Sequence, residues 1–147
     1  MFLTARIDKP RKTLAMTQHH ASCLCGAVQI TVSGDLPDGI ACHCSMCRKV
    51  TGHHEAGVDV AKTRVQIAGA DSITWYDSSP KVRRGFCRIC GASLFFDPPH
   101  LDWIGISLGA FDGPTGTRLA KHIFVADKGD YYDISDGLPQ EMTPPEQ

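Results

Sequence analysis

A mainly β domain is what three features of this 147-residue chain predict. Short segments rich in β-branched and aromatic residues recur along it, and clusters of Gly, Pro, Asp and Ser separate them. No segment sustains a helical period beyond about two turns. Together these imply a single domain built as a sandwich, a barrel or a folded set of sheets, over residues 21–140.

Residues 1–20 are polar and irregular and contain Pro10, so they read as a disordered tail, with Met16 a second candidate start of translation. The run Ala-Val-Gln-Ile-Thr-Val-Ser at 27–33 alternates and is β-branched, which predicts a strand. A turn cluster at 34–39 separates it from a second strand at 40–44. Residues 45–50 suffice for a turn or two of helix, stopped by Gly52. Further short strands are expected at 56–60, 64–67, 73–76, 82–86, 92–96, 103–108, 122–125 and 131–134. Residues 141–147, rich in Pro and Glu, read as a flexible tail.

The length allows a substantial hydrophobic core. Fifteen Lys and Arg against sixteen Asp and Glu give a formal charge of −1, which removes the electrostatic case for nucleic acid or an anionic membrane as partner. Apolar runs fall far short of the roughly 20 residues that span a bilayer. The N-terminus has no apolar core of a secretory signal. A cytoplasmic location is therefore expected.

All seven cysteines fall in three clusters: Cys23 and Cys25; Cys42, Cys44 and Cys47; Cys87 and Cys90. An odd number leaves one unpaired in any all-disulfide scheme, and a reducing compartment favours metal or redox use of clustered thiols. CxC and CxxC spacings also close almost no loop, so a disulfide there would gain little. On a strand, residues i and i+2 share a face, so Cys23 and Cys25 aim at one point, and so do Cys42 and Cys44. His43 would then point the other way, as a half-buried strand histidine. Cys87-Arg88-Ile89-Cys90-Gly91 has the spacing of a zinc knuckle, which supplies two of the four ligands a structural zinc needs. Cys23 and Cys25 are its natural partners, because Cys-Gly-Ala follows at both Cys25 and Cys90. Cys42, Cys44 and Cys47 remain as a set of three. Two arrangements stay open for it: a catalytic zinc with a free fourth position, or a closed site completed by His53 or His54.

The runs CLCGAV, CHCSMCRKVTG, RGFCRICGASLFF and HIFVADKGDYYDISDGLPQ, in that order over about residues 22–140, resemble the glutathione-dependent formaldehyde-activating enzyme family, which also contains the centromere-protein-V type domains. The resemblance implies a β-tent fold of stacked antiparallel sheets, similar to that of methionine sulfoxide reductase B. It implies two zinc ions per chain: a structural one on Cys23, Cys25, Cys87 and Cys90, and a catalytic one on Cys42, Cys44 and Cys47. It also implies carbon–sulfur lyase chemistry, in which a small thiol such as glutathione and an aldehyde such as formaldehyde join as S-(hydroxymethyl)glutathione. The rival readings are a zinc-stabilised binding module without catalysis and a thiol redox protein. Among other residues, Lys81, Arg83 and Arg84 read as a solvated strand face, with steering of a carboxylate-bearing thiol such as glutathione as the alternative. His122 and the turn at Asp136 read as strand and turn structure.

Overall fold

The computed structural model describes residues 16–143, so residues 1–15 and 144–147 of the tails expected at 1–20 and 141–147 lie outside the described residues. Among the described residues ten strands form two sheets, with one short α-helix and four 3-10 turns. The smaller sheet orders β1 (Gln18–Ser22), β2 (Gln29–Ser33) and β5 (Val65–Ala68) as β1-β2-β5. The larger one contains β3 (Gly39–Cys42), β4 (Glu55–Ala61), β6 (Ile73–Ser79), β7 (Val82–Cys87), β8 (Ser93–Asp97), β9 (Trp103–Ser107) and β10 (Leu119–Ile123). Its order is β10-β3-β4-β9-β8-β7-β6. The helix α1 spans Ser45–Thr51. No helix of the described residues is long and apolar enough to cross a membrane.

Alternation decides which face is which. On β2, Ile30 and Val32 point inward, and on β4 so do Val58 and Val60. Val58 lies opposite Ile106 and Val60 opposite Ile104 on β9. These residues, with Ala21, Val28 and Leu94, form the core between the two sheets. Burying each such side chain contributes about 1.5–3 kcal/mol. The intervening β4 residues Glu55, Gly57 and Asp59 necessarily face the other side of the large sheet, and that side holds the cavity described below.

Three departures from expectation have physical causes. The domain begins earlier than residue 21, because Gln18–Ser22 pairs antiparallel with Gln29–Ser33 and buries Ala21. The sheets are not wholly antiparallel: β10 runs parallel to β3, placing Ile123 beside Cys42. No strand forms at 131–134, where side chains rather than a ladder hold the backbone. The ammonium of Lys128 donates to the Gly129 carbonyl at 2.8 Å and to that of Tyr132. Residues 141 and 142 are also bound, through Glu141 N–H to the His122 carbonyl at 2.8 Å and Ala126 N–H to the Met142 carbonyl at 3.2 Å.

Candidate metal centres and the adjoining cavity

Cys23 and Cys25 sit in the β1–β2 connection, and Cys87 and Cys90 at the β7–β8 connection. The two connections repeat one local design. Gly26 N–H bonds to the Cys23 carbonyl at 3.1 Å and Gly91 N–H to the Cys87 carbonyl at 2.8 Å. Both glycines take the left-handed conformation, φ 80° and 75°, which a side chain disfavours. All four sulfurs lie within 4.8 Å of one another, close enough for one metal ion, with Cys23–Cys25 at 3.6 Å and Cys25–Cys87 at 3.8 Å. The Ala92 backbone N–H pulls the Cys90 thiol down to about 6, so it is largely thiolate at neutral pH.

Cys42, Cys44 and Cys47 form the second group, their sulfurs also within 4.8 Å of one another. Cys42 ends β3. Cys44 is the N-cap of α1, its sulfur accepting from Cys47 N–H at 3.3 Å, and the first helical turn brings Cys47 round to it. Hydrogen bonds from Cys42 and Cys47 hold the Cys44 thiol far below its ordinary value, so it carries the first negative charge of the set. The same contacts with Cys44 and Cys47 push Cys42 upward. The guanidinium of Arg84, 7% exposed, approaches Cys47 Sγ at 3.6 Å.

Neither His53 nor His54 joins the three sulfurs within that distance. Both lie with His43: His54 packs on the His43 ring at 4.8 Å, and His53 on Tyr132 at 4.1 Å. His43 does face away from the sulfurs, but it is 1% exposed rather than half-buried. Its Nε2 bonds His122 Nδ1 at 2.8 Å, its Nδ1 bonds the Tyr132 hydroxyl, and His122 Nε2 bonds Asp136 at 2.8 Å. With Asp136 ionised, one set of neutral tautomers satisfies the whole chain. Tyr132 donates to His43, His43 to His122, and His122 to Asp136. Burial, then the neighbouring His54, His122, His53 and Lys128, push His43 down to about 4, which keeps it neutral.

The three-sulfur group opens into a cavity of about 280 Å³ on the outer face of the large sheet. Phe95, Phe96, Trp103 and Phe124 supply much of its wall. Glu55, Asp59, Ser107 and Arg84 are its polar lining groups besides the thiols and Ser93. Ser107 Oγ donates to Glu55 Oε1 at 2.5 Å, and burial raises the Glu55 carboxyl above its usual range. Asp59 remains exposed at its strand position, and partial desolvation in the cavity wall raises its carboxyl as well. Arg84 Nε has no hydrogen-bond partner among the described residues, so it retains donor capacity. Glu55 and Asp59 were not legible as site residues, since isolated acids on a short strand look solvent-facing; for Arg84 the sequence offers thiol steering only as the alternative to a solvated strand face.

The model of one family, the glutathione-dependent formaldehyde-activating enzymes, matches residues 18–127. The chain belongs to this family. Among named relatives, an uncharacterised lyase of Schizosaccharomyces pombe is 24% identical over 82% of this chain and 88% of its own length. A candidate glutathione-dependent formaldehyde-activating enzyme of Emericella nidulans, so named, is 28% identical over 85% of this chain and 66% of its own length. A Rhodobacter sphaeroides protein of known crystal structure shares the fold, with a TM-score of 0.56 over 68% of this chain and 98% of its own, at 22% identity. The family match covers both knuckles, all seven cysteines and the cavity, and stops before Tyr132 and Asp136.

Proposed function

We propose that the protein joins and separates thiols and aldehydes, a carbon–sulfur lyase-type reaction, at the Cys42–Cys44–Cys47 group. The observation that carries this is a three-thiol set, one donor short of a tetrahedron, opening into an apolar cavity. A closed structural site needs four ligands, whereas a site with three leaves a position for substrate.

The donor sets suit zinc. Thiolates about 2.3 Å from a zinc ion stand about 3.8 Å apart at tetrahedral angles, close to the 3.6 and 3.8 Å separations in the four-sulfur group. Cys23, Cys25, Cys87 and Cys90 would hold one ion and Cys42, Cys44 and Cys47 another, two per chain. A zinc ion on the three thiolates supplies a soft Lewis acid that lowers the pKa of an incoming thiol.

The chain's own groups serve the other reactant. In the joining direction the thiol sulfur bonds to the carbonyl carbon, the C=O π pair moves to oxygen, and that oxygen takes a proton. Arg84, with a free N–H beside Cys47, is placed to donate to the oxygen as charge develops on it. Glu55, held toward its neutral form by burial, is the group suited to hand a proton to that oxygen and to regain one from the thiol. The aromatic wall keeps bulk water away, which strengthens both interactions.

Cys44→Ser lowers the metal content from two equivalents to one while far-ultraviolet circular dichroism is retained, and abolishes turnover of thiol–aldehyde adducts. A variant that still binds two equivalents refutes the assignment. Wild-type protein that holds two equivalents and turns over no adduct is a zinc-stabilised binding module instead.

A further inference from the structure

Resting on the thiol–aldehyde reading, we propose that the cavity's preferred substrate is a neutral adduct with an apolar body of aromatic size, rather than the tripeptide adduct with its two carboxylates.

Size is the first argument. A one-carbon aldehyde occupies little more than one water molecule's share, about 30 Å³, and benzene fills a cavity of about 150 Å³. The 280 Å³ here accommodates a ring together with the sulfur and carbonyl carbon. Two bare strand positions keep that room open. Gly57 on β4 and Gly105 on β9 both line the cavity. A methyl group on Gly105 would come within 3.1 Å of Asp59 Oδ1 and 3.2 Å of Phe96 Cβ.

The wall is the second argument. Phe96 and Trp103 lie nearly parallel, at 12° with ring centres 6.0 Å apart, and Phe95 and Phe124 continue the apolar surface. Flat aromatic faces gain by contact with another ring and gain little from a peptide's polar backbone.

Charge is the third. A tripeptide thiol with two carboxylates needs cations to receive them. Arg84 is the only cation among the described residues lining the cavity, and it already faces Cys47. The other ionisable side chains there, apart from the cysteines, are the acids Glu55 and Asp59, which supply no second cation for a carboxylate. Burying an unpaired charge against them is costly.

The test compares phenylmethanethiol, 2-mercaptoethanol and glutathione on the zinc-loaded protein. Binding is measured by calorimetry and by quenching of tryptophan fluorescence, and turnover by the reaction of each thiol with formaldehyde. Phenylmethanethiol binds at least ten times more tightly than either of the others. Trp103→Ala reduces that preference at least tenfold, and Asp59→Lys shifts binding toward glutathione. Equal or tighter binding of glutathione to the wild type, or failure of all three to bind, overturns the inference. If phenylmethanethiol binds as expected but no adduct forms, the reaction assignment fails and the pocket assignment stands. If adducts form fastest with glutathione, the reverse holds.

Discussion

Consecutive strand residues face opposite ways, and Arg83 and Arg84 divide their contacts accordingly. Arg83 stacks over Trp75 at 4.2 Å and bonds Asp97 at 2.8 Å, whereas Arg84 turns to the cavity and the Cys47 sulfur. In the sequence both read as a solvated face, because a run of charges on a short strand usually is one; nothing local reveals that β8 and α1 cover one of the two. For Arg84 that reading is overturned by its burial. Arg84→Met keeps the volume and removes the donor. It lowers kcat for adduct turnover by about 10²-fold, the usual loss of one oxyanion donor, with metal content unchanged. A variant with wild-type kcat would show that the guanidinium does not act on the reacting oxygen. The grouping of the cysteines, by contrast, was legible from spacing, although Cys23 and Cys25 lie in a turn and Cys44 caps α1, where strand geometry was expected to aim them.

Strands carry couplings that spacing does not encode. β3 presents Cys42 toward the cavity and is flanked by His43, whose ring is locked by His122 on the parallel neighbour β10. Neither the parallel pairing nor the histidine contact is readable, because 79 positions separate the partners. Replacing His122 with Ala leaves the His43 Nε2–H buried without an acceptor, a cost of about 1–3 kcal/mol. The same change loosens the strand end that holds Cys42, so metal in the three-thiol group is lost to a chelator faster than in the wild type. Unchanged exchange would confine the histidine chain to stability. Asp97 is the second such coupling: 2% exposed, it bonds Lys62 and Arg83 at 2.8 Å each, linking the end of β8 to β7 and to the β4–β5 connection. Burial alone would raise its carboxyl, but the bonds and charges of Lys62 and Arg83 outweigh that and hold it below the usual value. Its folded-state pKa is therefore depressed, and its contribution is complete above the unfolded value of about 3.9 and fades as pH falls through the folded one. Asp97→Asn costs about 1–3 kcal/mol near neutral pH, less than loss of a fully buried pair, because Lys62 and Arg83 are each about a third exposed, 33% and 38%, and regain water. In urea unfolding the gap between wild type and variant narrows below about pH 4; a constant gap would deny the linkage.

The four-sulfur group joins the two sheets. Cys23 and Cys25 belong to the small sheet's hairpin and Cys87 and Cys90 to a hairpin of the large one, with Cys25 and Cys87 62 positions apart. A clip across such a span removes roughly 4 kcal/mol of chain entropy from the unfolded state, by analogy with a disulfide of that loop length. Structural metal binding adds directly to folding free energy. Cys87→Ser therefore unfolds the whole molecule at 37 °C, measured by near-ultraviolet circular dichroism, whereas Cys44→Ser does not. Equal stability of the two variants would remove the distinction between the groups. The mainly β architecture and the pairing of knuckles were legible, since both rest on periodicity and turn chemistry. The cavity was not, because it arises only where β3, β4, β7, β8, β9, α1 and the end of β10 meet.

The alternation on β4 also guards the molecule against its own misassembly. Val58 and Val60 belong to the space between the sheets, and Glu55, Gly57 and Asp59 to the cavity. A slip of one residue in pairing with β9 would exchange the two sets. Carboxylates would then enter the valine layer and valines would fill the substrate's room. Such a chain loses its core and its chemistry in one error, so no stable but inactive register competes with the native one.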